Sequence, residues 1–313
     1  MPNTKPTQEQ IVPRYPDLHA EDILLDRADA ANKILSDCTL CPHRCHVDRT
    51  VGETGFCRTG SELIVSSFAP HFGEEAPLVG RRGSGTIFFT NCNLRCIFCQ
   101  NYEISQCGRG FQVQAEDLAE IMLRLQERGC HNINLVSPSH QVPGILRAID
   151  IATGRGLRIP IVYNTGGYDS VDTLRLLDGV IDIYMPDVKY GSNGIAHALS
   201  GAPDYVNRMK EALHEMHRQV GDLIIQDGVA ERGMIIRHLV IPGGLAGTDE
   251  VMQFIAEELS TSSYVNIMPQ YRPAWKVSEM TIGFDVLKRR ITKAEFDDAI
   301  AIAQRYGLFR DLE

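Results

Sequence analysis

The hydrophobic pattern of the chain alternates between two periods. Short apolar runs stand at 86–90 (TIFFT), 132–136 (NINLV), 159–164 (IPIVYN), 181–185 (IDIYM), 234–241 (MIIRHLVI) and 264–268 (YVNIM). Each reads as a strand buried on both faces. Helical spacing fills the intervals. Leu118, Ile121, Met122 and Leu125 share one helical face, with Gly129 as the stop. VPGILRAIDIAT is helical and is broken by Gly154 and Gly156, Ser170 opens a short helix, and further helices are expected over 203–220 and TDEVMQFIAEEL. The last begins at Thr292, with Glu295 in a capping-box position. Six strands alternating with helices predict an α/β fold with a parallel sheet and right-handed crossovers. Periodicity alone leaves open a partial barrel or a doubly wound sheet. Either places the functional site at the carboxyl ends of the strands.

The N-terminal part breaks this pattern. The first ~30 residues read as a leader with one amphipathic stretch. The segment from Cys38 to Arg58 is dense in Cys, Gly and charge and reads as a small metal-held module. A connector is expected over 66–85. The expected division is 1–80 for the extension with its cysteine-rich module and 81–313 for the core with its C-terminal helix.

Composition narrows the function classes. The hydrophobic fraction of 43% and charged fraction of 23% over 313 residues are those of an ordinary soluble protein. A net charge of -9 repels bulk nucleic acid, so no nucleic-acid partner is expected. No run approaches the ~20 apolar residues of a membrane span, and the N-terminus lacks an apolar signal region. A cytoplasmic location follows as the expectation. There the nine cysteines read as metal ligands or redox groups rather than disulfides.

Four of them give Cys38-x2-Cys41-x3-Cys45-x11-Cys57, and three give Cys92-x3-Cys96-x2-Cys99 immediately after the first core strand. The set of four suits either a tetrahedral zinc ion or an iron–sulfur cubane, with His43 or His46 able to replace one thiolate. The set of three is one ligand short of a cubane, which leaves a metal position open to substrate. A structural zinc site completed by a distant group such as Cys107 is the alternative. Cys130, at a helix end, reads as a small core residue.

With Phe98 before its third cysteine, and with the βα array behind it, the stretch NCNLRCIFCQN resembles the radical S-adenosylmethionine (SAM) superfamily. That resemblance implies a partial (β/α)6 barrel. It implies a [4Fe-4S] cluster held by Cys92, Cys96 and Cys99, with SAM on the unique iron. A reductant such as flavodoxin or ferredoxin would deliver one electron, and the 5′-deoxyadenosyl radical from SAM would abstract a hydrogen atom. Further stretches are similar to the activating enzymes of glycyl-radical enzymes. Asp187 and Lys189 match a D-x-K element that contacts SAM, and Arg237 matches an R-x-x-x-x-P-G strand whose Arg approaches the SAM carboxylate. Asn164 to Gly167 would allow close backbone approach, or form an ordinary turn. NIMPQYRP resembles the late strand that holds adenine. One element departs from the superfamily: Ser137 to His140 (SPSH) stands where a G-G-E-type element often binds the SAM amino group. His140 either faces the substrate or is a satisfied core histidine. As a whole the pattern most closely resembles pyruvate formate-lyase activating enzyme-like proteins. The expected function is radical SAM cleavage with activation of a glycyl-radical enzyme or peptide. The alternatives are a self-contained enzyme modifying a small molecule, peptide or nucleotide, and a non-catalytic iron–sulfur redox or scaffold protein.

Overall fold

The computed structural model describes residues 11–279 and 284–310. Its strands are β1 (Leu63–His71), β2 (Ser84–Phe89), β3 (Phe111–Val113), β4 (Ile133–Val136), β5 (Ile161–Thr165), β6 (Ile183–Pro186), β7 (Ile224–Gln226), β8 (Val229–Leu239) and β9 (Tyr264–Met268). The six strands expected from the apolar runs are β2, β4, β5, β6, β8 and β9. They pair in that order, each parallel to the next. Among the described residues β9 does not pair back to β2, so the sheet stays open. This is the expected α/β architecture, a mostly parallel open sheet of the partial-barrel kind.

Three strands escaped the hydrophobic pattern. The expected connector contains most of β1, which runs antiparallel to β2 with His71 opposite Ser84 and Phe89 opposite Val65. β3 then pairs with β1, and β7 with β8. β1 carries Ser66, Ser67 and Pro70 and is only half buried, while β3 and β7 are short and largely exposed. Their apolar runs are only two or three residues long, Leu63–Val65 in β1 and Ile224–Ile225 in β7, and polar or proline residues follow, so most of each strand is held by backbone pairing. The boundary at residue 80 falls inside the β1–β2 hairpin. A helix at Asn193–Ser200, ended by Gly201 at φ 71°, also precedes the expected one, which is Tyr205–Val220.

The helices cover the outer face with apolar stripes, as in Ala115–Glu127, which buries Leu118, Ile121, Met122 and Leu125. The N-terminal helix Ile23–Lys33 packs on Val142–Gly154. Tyr15 donates its hydroxyl to the Ile159 carbonyl at 3.0 Å, so this part of the leader is built into the body. The inner face is apolar at the amino ends of the strands. There Val162, Ile183, Ile235 and Tyr264 enclose Leu78 of the short helix Ala76–Val79. Asn132 anchors that helix by donating to the Leu78 carbonyl at 2.9 Å. The β1–β2 connector thus closes the amino-terminal end of the barrel. No helix among the described residues is long and apolar enough to cross a membrane.

Candidate functional site

The loop after β2 carries Cys92, Cys96 and Cys99 at the carboxyl edge of the sheet. Its backbone is fixed from the Asn193–Ser200 helix: Arg95 N–H donates to Ser200 O and Ile97 N–H to Leu199 O, both at 2.9 Å. The sulfurs are engaged as well. Leu94 N–H points at Cys92 Sγ at 3.4 Å, Ser200 Oγ donates to Cys96 Sγ at 2.9 Å, and Ser105 Oγ lies 3.1 Å from Cys99 Sγ. Phe98 is buried, with its ring centroid 5.8 Å from that of Tyr271 in the segment after β9.

Burial pushes the Cys92 thiol up to about 12 and the Cys96 thiol up to about 11. Neighbouring thiols push both further up, while Lys189 pulls them down. Three thiols that feel one another, beside one ammonium, fit a cationic cluster that would hold them as thiolates. Among the described residues no three His, Cys, Asp or Glu side chains are gathered about a single-ion position. A cubane instead spreads its ligands over separate irons.

Asp187 and Lys189 follow β6, and Arg237 lies on β8. Asp187 accepts from Lys189 Nζ and from Arg237 Nε, each at 2.6 Å. Arg237 Nη2 reaches Asn164 Oδ1 on β5 at 2.8 Å. Four of the residues singled out in the sequence therefore form one network. Burial would raise the Asp187 carboxyl, but Arg237 and Lys189 outweigh it and hold it below the ordinary carboxylate range. Burial opposes the charge on Lys189, yet Asp187 and the Cys96 thiol raise its pKa. The glycines after Asn164 do serve a close approach. A Cβ on Gly166 would lie 2.7 Å from Leu94 Cδ1, and one on Gly167, at φ +75°, 2.9 Å from the Asp187 carbonyl.

Two members of this network carried no sequence signal. Glu74 and Glu75, from the β1–β2 connector, reach Arg237 Nη1 at 3.5 and 3.8 Å. Glu75 Oε1 also accepts from Asn266 Nδ2 of β9 at 3.0 Å. Adjacent glutamates in a stretch read as connector suggest a solvated loop, and only the β1 hairpin carries them inward.

The SPSH segment is not a bare substitute for a carboxylate element. Ser139 Oγ donates to Asp169 at 2.6 Å, and Thr165 and Tyr163 hydroxyls donate to the same carboxylate at 2.6 and 3.1 Å. Asp169 therefore ties the loops after β4 and β5 together. His140 is buried, its Nε2 is 2.8 Å from the Thr90 carbonyl, and burial lowers its pKa to about 4. Its burial places it in the core, with Nδ1 lacking a hydrogen-bond partner among the described residues.

Cys38, Cys41, Cys45 and Cys57 lie in a module docked on the triad loop. His43 Nε2 bonds the Asn93 carbonyl at 2.9 Å, and Arg95 donates to the Phe56 carbonyl at 2.8 Å. A Cβ on Gly55 would meet Cys45 Sγ at 2.6 Å, so the GETG turn needs glycine there. Burial, with the three other cysteine thiols, raises the Cys41 thiol above its ordinary range. Arg49 is almost fully buried here. It donates to Gly60 O and His140 O, the latter at 3.0 Å, and lies 3.9 Å from Cys38 Sγ. Among the described residues no carboxylate pairs with it. A buried unpaired guanidinium is costly, and a metal bound by four thiolates would supply the missing negative charge. As at the triad, among the described residues these side chains are not gathered about a single-ion position, so the donor set fits a second metal centre by its chemistry and by the charge of Arg49, not by its spacing. Cys107 is exposed and Cys130 buried.

Three comparisons with known proteins bear on the family. The model of the radical SAM superfamily matches residues 86–267. The uncharacterized protein MJ0674 of Methanocaldococcus jannaschii is 33% identical over 294 residues, covering 91% of this chain and 80% of that protein. Among solved structures, HydG, a maturase of the [FeFe]-hydrogenase, superposes with a TM-score of 0.44 at 14% identity. That match covers 71% of this chain and 49% of HydG, so the chain spans about half the length of that structure.

Proposed function

This chain belongs to the radical SAM superfamily, and we propose that Cys92, Cys96 and Cys99 hold the [4Fe-4S] cluster at which it cleaves SAM. Superfamily membership implies an enzyme that uses such a cluster with SAM and draws electrons from a reductant such as flavodoxin or ferredoxin. The observation that carries the assignment is the seating of Cys92, Cys96 and Cys99 on one loop after β2, hydrogen-bonded to the Asn193–Ser200 helix, with Lys189 acting on the Cys92 and Cys96 thiols.

A [4Fe-4S] cluster held by Cys92, Cys96 and Cys99 would supply, when bound, the one-electron reduction by which SAM is cleaved for hydrogen-atom abstraction. The chain's own residues do the rest. Lys189 and Arg237 offer cations to the SAM carboxylate, while Asp187 and Asn164 offer acceptors to its ammonium or ribose hydroxyls. Phe98 and Tyr271 form an apolar wall beside the cluster loop. The helix-covered sheet keeps water and stray hydrogen donors away from the radical.

Cys38, Cys41, Cys45 and Cys57 hold a second metal centre, zinc or iron–sulfur, whose charge balances Arg49. Its thiols and an oxygen-sensitive cluster suit a reducing cytoplasm. The Asp187–Lys189 and Arg237 elements support an activase-like reading, in which the hydrogen comes from a glycine of a partner protein. The interior carboxylates Glu74 and Glu75 favour a second reading, a self-contained enzyme acting on a small molecule or peptide.

The test is electron paramagnetic resonance (EPR) of the reconstituted, reduced protein. SAM is expected to change the cluster spectrum, and Cys→Ala changes in the triad are expected to abolish that SAM-dependent change. A cluster spectrum indifferent to SAM would overturn the assignment.

A further inference from the structure

The carboxylates of the barrel interior outnumber its cations. Glu74, Glu75 and Asp187 face Arg237 and Lys189, which leaves one negative charge in excess. The excess sits on the glutamates. Asp187 has a short bond from each cation, whereas Glu74 and Glu75 stand at 3.5 and 3.8 Å from a single guanidinium nitrogen. His71, the remaining titratable neighbour, has Nδ1 3.5 Å from Glu74 and no hydrogen bond there.

Two further observations point to a missing ligand. Glu75 Oε2 is buried without a hydrogen-bond partner, and the Glu75 side chain is only 5% exposed. Asn134, fully buried on β4, has neither its amide oxygen nor its amide nitrogen satisfied. Its register neighbours are Thr86 and Val162, and Val162 belongs to the interior cluster around Leu78. Asn134 therefore shares the inner face with Asn132, which anchors the connector carrying the two glutamates. Buried polar groups are nearly always satisfied, and a buried carboxylate oxygen left alone is expensive.

We propose that Glu74 and Glu75 form the receiving end of the substrate site, with Asn134 deeper on the same inner face, and that the group they take is a protonated amine. This rests on the radical SAM reading above and adds the substrate's chemical class. An alkylammonium has the charge the interior lacks and donors for the free oxygen of Glu75. Burial, reinforced by Glu75, raises the Glu74 carboxyl above its ordinary range although Arg237 pulls it down, as expected where negative charge is in excess.

The SAM ammonium is the other source of a cationic nitrogen, and position argues against it. Lys189 and Cys99 lead the charges acting on the Cys96 thiol, whereas Arg237, Glu75 and His71 lead those acting on Glu74, with Asp187 acting on both. The glutamates lie beyond Arg237 from the cluster loop, on the connector that closes the amino-terminal end of the barrel.

The experiment is calorimetric titration of the full-length, reconstituted protein with butylamine at about pH 7.5, where the amine is protonated. It is run with and without SAM and beside 1-butanol and butyrate. Saturable binding of the amine alone, in both the presence and absence of SAM, is expected. Glu75→Gln keeps the acceptor for Asn266 and is expected to weaken binding about tenfold or more. Glu74→Gln serves as the second variant should the first fail to fold. Glu116→Gln, on an exposed helix face, is expected to change nothing. Displacement of the amine by SAM would assign the carboxylates to SAM and overturn the proposal. Equal binding of butanol or butyrate, no saturable binding, or indifference to both Glu74→Gln and Glu75→Gln would overturn it too. SAM cleavage is measured on the same preparations. Lost amine binding with intact cleavage sinks only this inference, and the reverse sinks only the assignment of the cluster.

Discussion

Ser200 donates its hydroxyl hydrogen to Cys96 Sγ at 2.9 Å, from a helix 104 residues further along the chain. Tyr190, 2.6 Å from Ser200 Oγ, completes the relay as donor to Ser200. A hydrogen bond to a ligating sulfur favours the reduced, more negative state of a cluster. Ser200→Ala is therefore expected to lower the cluster potential by roughly 40 mV, equivalent to about 1 kcal/mol for one electron. Potentiometric titration followed by EPR reads this directly. An unchanged potential would mean that the bond does not bear on the cluster.

Arg237 holds Asp187 and Asn164 through two different nitrogens of one planar fork. A lysine offers a single point charge and cannot reproduce that geometry. Arg237→Lys is expected to weaken SAM binding about tenfold and to cost roughly 1–3 kcal/mol of stability. Equilibrium dialysis with SAM and urea denaturation measure the two effects. Wild-type affinity in this variant would remove Arg237 from the SAM site.

Asp182 gives a pH signature independent of the cluster. Burial raises its carboxyl to about 7, although the Ile161 N–H, Arg232 and Arg14 pull it down. A folded-state value above the unfolded ~3.9 means that the contribution to stability is full below about pH 4 and lost as pH rises through about 7. Asp182→Asn keeps an acceptor for Ile161 N–H and cannot ionise. The variant and the wild type should be similarly stable near pH 4. By about pH 8 the variant should be the more stable, by roughly 2–4 kcal/mol. Urea midpoints across this range check it, and parallel curves would contradict it.

The module yields a metal count. Cys41→Ser is expected to remove one metal centre while leaving the iron of the triad in place, as read by elemental analysis and EPR. Arg49→Met removes the buried guanidinium and its bonds to Gly60 and His140. It is expected to destabilise the module by about 2–3 kcal/mol. Unchanged metal content in Cys41→Ser would refute the second centre.

What the sequence disclosed, and what it hid, divides along a physical line. The six parallel strands were legible because burial on both faces demands apolar runs such as IVYN and MIIR. The grouping of Cys92, Cys96 and Cys99 was legible because their spacing lies within one loop. β1 was hidden because its apolar run stops at Val65, and the part beyond it, with Ser66, Ser67 and Pro70, is half exposed and held by pairing with β2. Glu74 and Glu75 were hidden with it, since only that hairpin brings an outwardly polar loop to Arg237. Ser200 and Asp169 act through contacts between distant elements, which no local pattern encodes. Asp187, Lys189 and Arg237 could be named from their strand ends, but their mutual bonds required the fold.

The central claim is radical cleavage of SAM at Cys92, Cys96 and Cys99. Its most direct test is anaerobic. The reconstituted, reduced protein is given SAM, with and without cell extract as a source of substrate, and 5′-deoxyadenosine is quantified by chromatography. Formation by the wild type, and none by a protein with all three cysteines changed to alanine, is the expected result. No 5′-deoxyadenosine from an intact reduced cluster, even with extract, or equal formation by the alanine variant, would contradict the claim.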